Sequence, residues 1–402
     1  MFTMLSPDFF TWIEAHKADD PAKLRLKFGR ERAFEILQIE CRRKYLTKLS
    51  ETLHHNPEFI FPTALSGEQS TSDSLAHIHA ELLMPGYKVA DLTAGLGIDA
   101  MAIAKRVGDK GHVIAVERDE TVADALRHNA KTITNLEVIN SDCRSLLDVW
   151  AREGMRFDAV FIDPARRASD GGRVFALNQC EPDVVAMLPL LKAVSDRLIV
   201  KASPMLDISH TLALLPDATE VLVLGTSTEC KELDIICNFT KESATSPKIK
   251  AITIAQGVHN VYTFTKNEEV AAKAAYGLPE VGGYVYDPYP AVMKAAPFKL
   301  LSSGELKAIG PNTHLWCSSQ LVDRFPGRSY RVEEILPYMS KHIKRYAARY
   351  PKISVTARNF DMTSDQLRAK LKVKDGPGRL FAVTAFNGQK LLINCNDTDT
   401  KS

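Results

Sequence analysis

The chain has 402 residues, 45% of them hydrophobic and 25% charged, and a net charge of +2. That length implies two or three domains with ample cores. The near-neutral balance excludes a polycation, so any nucleic-acid surface must come from local clustering.

The seven cysteines (Cys41, Cys143, Cys180, Cys230, Cys237, Cys317 and Cys395) are scattered, odd in number and free of a Cys-x-x-Cys pair. A reduced setting fits them better than a disulfide framework. No basic segment followed by an apolar stretch opens the sequence, and no run is apolar enough to span a bilayer. A cytoplasmic protein with no membrane partner is therefore expected.

Residues 1–65 read as a helical N-terminal domain, with apolar residues at helical spacing from Phe34 to Tyr45 and Leu46. Basic residues cluster at Lys23–Arg30 and at Arg42, Arg43 and Lys44. They read as a solvated helix face or as a phosphate-contacting surface, and a second basic region downstream tilts the balance to phosphate. Pro62 and the polar stretch Ser66–Asp73 mark a boundary. Ser72 or Asp73 is placed to cap a helix running to about Met84, which Pro85 and Gly86 end.

From Lys88 onward strands and helices alternate, the pattern of an α/β doubly wound sheet. Strands are expected at Lys88–Leu92, Val113–Val116, Leu136–Ile139, Ala159–Ile162, Leu198–Lys201 and Glu220–Leu224. Leu233–Phe239 follows too closely for a crossover helix and so should run antiparallel. Ile249–Ile254 and Val261–Thr265 read as an added hairpin. From about Pro279 the turn-rich segment Gly282–Pro290 leads into an α+β region rich in basic residues. The expected domains are 1–65, 66–278 and 279–402.

The chemistry concentrates in Val89–Asp99, where an apolar run ends in Asp91, a small-residue turn follows and a helix begins at about Ile98. Gly95 and Gly97 can bring bare backbone against a ligand, and the helix aims its first N–H groups at the same spot. The dinucleotide fingerprint cradles a pyrophosphate. Here the order is Asp-x-Thr-x-Gly-x-Gly, and an acid before the turn suits a cationic ammonium better than a diphosphate. That favours S-adenosylmethionine over NAD. Acids follow successive strands, where open α/β sheets bind ligands: Glu117, suited to ribose hydroxyls; Asp142, suited to an adenine amino group; and Asp163. Lys201 and Ser203 follow the fifth strand.

On these residues Glu68–Thr240 resembles a class I S-adenosylmethionine-dependent methyltransferase, whose sheet has seven strands with the last antiparallel. By that resemblance Asp91, Thr93, Gly95, Gly97, Asp99, Glu117, Asp142 and Asp163 line the cofactor. Thr93 replaces the usual first glycine, and Asp99 is expected near the cofactor's charged end. Asp163, Pro164 and Arg166 stand where methyl transfer occurs.

Further motifs are Glu229–Glu232, Tyr286–Tyr289, Phe325–Arg328, Thr356–Phe360 and Leu367–Gly376. With them the whole chain resembles bacterial methyltransferases carrying a C-terminal THUMP-like domain, which implies RNA, tRNA or rRNA, as the partner. Gln69, Lys201, Ser203, Glu229, Lys231, Lys341, Lys344 and Arg345 are candidate substrate contacts.

Several readings stay open. Asp163-Pro164-Ala165-Arg166 lacks the aromatic platform of amino methyltransferases. Arg166 and Arg167 read as a phosphate clamp or as a surface ion pair. Cys230 reads as a nucleophile or as a buried thiol. Lys341, Lys344 and Arg345 share a helix face, interleaved with Tyr338, Tyr346 and Tyr350. These suit RNA, or a solvated helix with tyrosines packed inward. The pairs His54/His55 and His77/His79 lack metal-ligand spacing, so no metal is expected. The alternatives to an RNA methyltransferase are an RNA-binding protein with a vestigial cofactor site and a methyltransferase acting on something other than RNA.

Overall fold

A computed structural model describes residues 5–166, 176–240, 246–255 and 257–398. The described residues fall into two compact units, one within 1–219 and 234–244 and the other within 220–233 and 245–402.

The first unit opens with six helices: α1 (Phe9–His16), α2 (Pro21–Phe28), α3 (Ala33–Tyr45), α4 (Ser50–His55), α5 (Ala64–Gln69) and α6 (Asp73–Glu81). Phe9, Ile13 and Leu24 of α1 and α2 pack on Ile36 and Ile39 of α3. Ser72 caps α6. Asp73 instead accepts from the backbone of Glu51 and Thr52 at the start of α4. Helix α6 stops at Glu81, short of the expected Met84, and Arg106 Nε takes up the Leu83 carbonyl at 2.9 Å.

The connection from α4 to α5 is extended, and two buried amides satisfy it. Gln38 both donates to and accepts from Phe61, and Asn129 does the same for Ile60. A buried backbone needs such partners. The apolar side chains of this segment share a core with Tyr45, Leu96, Ile98 and Ala125.

Then follow β1 (Lys88–Asp91), α7 (Ile98–Val107), β2 (His112–Glu117), α8 (Glu120–Asn129), β3 (Leu136–Asn140), α9 (Cys143–Arg152) and β4 (Ala159–Ile162). A short ribbon pairs β5 (Ala165–Arg166) with β6 (Cys180–Glu181). It is followed by α10 (Val184–Val194), β7 (Arg197–Ala202), α11 (Ile208–Leu214), β8 (Ala218–Thr226) and β9 (Cys230–Asn238). Strands β3, β2, β1, β4 and β7 lie side by side in that order, all parallel. Their near-continuous Val, Ile and Ala runs suit a sheet buried on both faces. Each of these strands that the sequence placed lies within three residues of its expected bounds, and β5 and β6 were not expected. Between β8 and β9 only three residues intervene, and Thr226 N–H donates to Glu229 O at 2.8 Å across that turn.

Strand β10 (Lys248–Ala255) pairs antiparallel with β11 (Val258–Thr265), the expected hairpin. β10 also pairs in parallel with β8. The hairpin is thus part of the sheet, which counts nine strands where seven were expected.

After α12 (Lys266–Ala271), the second unit holds β12 (Tyr284–Pro288), α13 (Pro290–Ala295), β13 (Lys307–Ala308), β14 (Trp316–Ser318) and β15 (Gly327–Pro337). It ends with α14 (Ser340–Arg349), β16 (Lys352–Arg358), α15 (Ser364–Leu371), β17 (Lys374–Thr384) and β18 (Lys390–Asp397). Its sheet runs β13-β14-β12-β15-β18-β17-β16. Val285, Tyr330, Phe381 and Ile393 form one core, and α14 and α15 cover a second around Tyr346, Leu367 and Leu380.

Candidate cofactor and active site

Asp91 ends β1 and is 1% exposed. Its Oδ1 accepts from Thr93 N–H at 3.1 Å, and its Oδ2 has no partner among the described residues. Burial, and then the nearby Asp99 charge, push its carboxyl well above the usual carboxylate range.

The turn that follows needs glycine at two places for different reasons. Gly95 has φ +54° and open space where a Cβ would stand. Its N–H donates to Glu117 Oε2 at 2.9 Å. Gly97 has φ +80°, and a Cβ there would meet Leu126 Cδ1 at 2.0 Å. The close approach at Gly97 is therefore to helix α8. Glu117, ending β2, is also fixed by Asp119 N–H at 2.8 Å.

Thr93, irregular in sequence, has a structural role. Its hydroxyl accepts from Asp163 N–H at 2.7 Å, tying the β1 turn to the end of β4. Asp163 Oδ2 in turn pairs with Lys201 Nζ at 2.7 Å. Lys201 also donates to Thr71 Oγ1 at 2.8 Å, and the Thr71 hydroxyl bonds to Asp99. Asp99 Oδ1 meets His79 Nδ1 at 2.7 Å, and His79 Nε2 meets Asp234 Oδ2 at 3.3 Å. A chain of hydrogen bonds and ion pairs thus runs Asp234–His79–Asp99–Thr71–Lys201–Asp163.

His79 is wholly buried. Burial pulls its imidazole down, but Asp234 and Asp99 outweigh that and raise it well above its ordinary value. Burial would raise Asp99, yet His79 and Lys201 bring it down to about 2. The two carboxylates thus favour the charged imidazole.

Asp99 is buried, and both its oxygens are held by protein groups, His79 and Thr71. His79 and Thr71 were missed. The signal for His79 was its register on α6: it falls among the buried Leu75, Ala76, Ile78 and Ala80, where a lone histidine needs a partner. Its neighbour His77 is half-exposed and bonds to Glu51 at 2.7 Å.

Asp142 caps α9 through Arg144 N–H at 2.9 Å and pairs with the Arg144 side chain at 2.5 Å. Arg144 lowers its carboxyl. Pro164 is buried, and Arg166 belongs to β5. Arg167 lies outside the described residues. Ser203 Oγ accepts from Met205 N–H at 3.3 Å, and Gln69 is exposed at the end of α5.

In the second unit Glu229 and Lys231 pair with each other. Cys230 Sγ lies 3.6 Å from Leu224 O, and burial pushes its thiol up to about 11. That is the buried-thiol reading, since a nucleophile needs a lowered value. Lys341, Lys344 and Arg345 are exposed on one face of α14. The tyrosines beside them turn inward, against the reading of a stacking platform. Tyr346 is 1% exposed and bonds to Asn394, Tyr350 donates to Glu334, and Tyr338 packs on Phe360.

Part of the N-terminal basic cluster is taken up by the protein. Arg42 donates to Pro57 O and Phe59 O, and Arg43 donates to Lys17 O and Asp19 O. Lys44 pairs with Glu68, and Arg25 with Glu40. These groups are occupied by the protein itself.

Three family descriptions match parts of the chain: protein-L-isoaspartate(D-aspartate) O-methyltransferase over 28–165, a ferredoxin-like domain over 284–326, and a THUMP domain-like family over 327–397. The chain is similar over 97% of its length to the crystal structure of a candidate methyltransferase from Porphyromonas gingivalis W83. That likeness covers 98% of the other chain, with 28% identity and a TM-score of 0.86.

An uncharacterized RNA methyltransferase of Lactobacillus johnsonii is 33% identical over 21% of this chain and 19% of its own. The 23S rRNA (uracil(1939)-C(5))-methyltransferase RlmD of Acinetobacter baumannii AB0057 is 32% identical over 24% and 22%. The chain thus spans about a fifth of the length of these curated relatives. Among the described residues no helix is long and apolar enough to cross a membrane.

Proposed function

We propose that this chain, a class I methyltransferase fold carrying a THUMP-like domain, is an S-adenosylmethionine-dependent methyltransferase that modifies a base in structured RNA. The observation that carries the reading is the buried Asp91 Oδ2, which has no partner among the described residues at the carboxyl end of β1. A carboxylate held in that place at a cost in desolvation fits the ammonium of the cofactor's methionine part.

Asp91, Thr93, Gly95, Gly97 and Glu117 would hold the cofactor, with Asp142 at its adenine. When bound, S-adenosylmethionine supplies a methyl group on a sulfonium, already activated for displacement. The protein's part is positioning. Thr93 fixes the Asp163 backbone, Lys201 fixes its carboxylate, and Asp163 then accepts a hydrogen bond from the substrate base. Pro164 and Arg166 complete that segment, with Gln69, Ser203, Glu229 and Lys231 as further substrate contacts.

The RlmD relatives are named for uracil C5 methylation, chemistry that needs a thiolate. The raised Cys230 thiol does not favour carrying that atom over. Three working parts follow: 1–65, 66–278, and 279–402, the last presenting Lys341, Lys344 and Arg345 to RNA in the cytoplasm. The test is mass spectrometry of modified nucleosides in RNA from cells with and without the gene. The expected result is one methylated nucleoside lost on deletion and restored by the wild-type gene but not by D163A. An unchanged nucleoside profile overturns the reading.

A further inference from the structure

Three sequence motifs of the second unit, left unused by the reading above, converge in space. Asp287 comes from Tyr286–Tyr289, Arg328 from Phe325–Arg328 and Arg358 from Thr356–Phe360. Asp287 on β12 stands in register with Arg328 on β15. Arg358, at the end of β16, reaches Asp287 Oδ1 at 3.1 Å. Gly327 makes the approach possible, because a Cβ there would meet Asp287 O at 2.3 Å.

A fourth group joins them. Arg379 of β17 lies over the Tyr330 ring, 5.8 Å from its centroid. Arg358, Arg328 and Arg379 all act on the Asp287 carboxyl, whose burial alone pushes it up.

The Asp287 carboxylate thus pairs directly with Arg358 and lies within electrostatic reach of Arg328 and Arg379. Arg328 donates to Ser227 O at 3.2 Å and Arg379 to Ser354 Oγ at 3.2 Å. Neither has a carboxylate partner among the described residues. Arg358 Nε is buried with no partner among them. The backbone around the cluster also departs from the ordinary: Asn359, next to Arg358, has φ +49°, and His314 has φ +52°. Both lie in the region that favours glycine, and such strain gathers where a ligand is held. Burial, and then the nearby Arg358, lower the His314 imidazole. Half-buried cations in excess call for an anion, and planar guanidinium forks match the oxygens of a phosphate.

We propose that Arg328, Arg358 and Arg379 form a phosphate-binding site, with Asp287 holding the guanidinium groups in place. It rests on the reading above only for the source of the phosphate, an RNA backbone as against a free phosphate monoester. The full chain is titrated with a labelled single-stranded RNA decamer of mixed sequence, with ribose 5-phosphate and with inorganic phosphate.

R379Q, which gives up only one hydrogen bond to the protein, should weaken binding about tenfold. D287N, which keeps an acceptor for Arg358 and removes only the competing charge, should tighten it severalfold. An effect on the decamer marks an RNA backbone as the source, and an effect on ribose 5-phosphate alone marks a monoester. Both support the site. Affinities within twofold of wild type for every probe in both variants overturn it. S-adenosylmethionine affinity, measured alongside, keeps the two readings apart. Loss of cofactor binding in the wild type sinks the methyltransferase reading, whereas unresponsive phosphate binding sinks only this one.

Discussion

Two basic clusters look alike in sequence and differ in the fold. Arg42, Arg43 and Lys44 on α3 are spent on carbonyls and a carboxylate of the protein. Lys341, Lys344 and Arg345 on α14 are exposed and have no ion pair among the described residues. Charge spacing alone cannot separate these cases, because what matters is whether acceptors lie nearby. The carboxylates of the first unit repeat the contrast. Asp99 has both oxygens occupied, and Asp91, eight residues earlier, has one oxygen left over. A buried carboxylate satisfied by the protein stabilises it, whereas a buried oxygen left over is available to a ligand.

The sharpest way to break the contrast is to reverse the α14 face. K341E/K344E/R345E should weaken RNA binding on the order of a hundredfold at low salt, with a flatter salt dependence. Thermal stability should hardly move. RNA affinity equal to wild type, measured by fluorescence anisotropy, would remove the α14 face from the interface.

R42A should do the reverse. It strips the donor from Phe59 O and Pro57 O beside a buried segment, costing about 2–3 kcal/mol in denaturant unfolding. RNA affinity should stay within twofold. A stable R42A with weakened RNA binding would restore the phosphate-contact reading of the cluster.

Acid should expose the occupied carboxylate. Asp99 sits at about 2, below its ordinary 3.8, so its contribution is present above about pH 4. It is lost as pH falls from there to about 2, on the order of 2 kcal/mol. His79 carries the opposite sign: raised, it stabilises below its ordinary 6.5 and loses that only as pH climbs through its raised value. Urea unfolding of wild type and D99N between pH 6 and 2.5 checks this. Parallel curves would show that Asp99 contributes nothing through its charge.

The strand and helix order was legible because period and turn residues are local signals. Helix α7 runs over Ile98–Val107, as its glycines and apolar spacing imply. The hydrogen-bonded chain was legible only in part, through Asp99, Lys201 and Asp163. Asp163 and Lys201 stand at strand termini, where open sheets display their chemistry. Thr71 and His79 come from a loop and a helix that precede the sheet in sequence, and only tertiary packing brings them to Asp99. The hairpin β10–β11 was visible as a hairpin. Its parallel pairing with β8 was not, because nothing in a strand's own sequence names its second neighbour. The inward turn of Tyr346 depends on Asn394, 48 residues away.

The smallest expected effect tests the left-over carboxylate directly. The Asp91 carboxyl is raised by burial and by Asp99, so its ionised form is destabilising in the protein without a ligand. For an acid so raised, folding loses stability as pH climbs through the ordinary carboxylate value, and the loss persists at neutral pH. D91N removes the charge while keeping the shape and the acceptor for Thr93 N–H. It should therefore raise stability by about 1 kcal/mol, a melting shift of about 2 °C for a chain of this size. S-adenosylmethionine binding by calorimetry should be lost in the same variant. Stability and ligand binding then move in opposite directions at one oxygen atom, which a purely structural aspartate would not allow. If D91N instead melts lower and binds cofactor as well as wild type, Asp91 belongs with Asp99 among the groups the protein has already used.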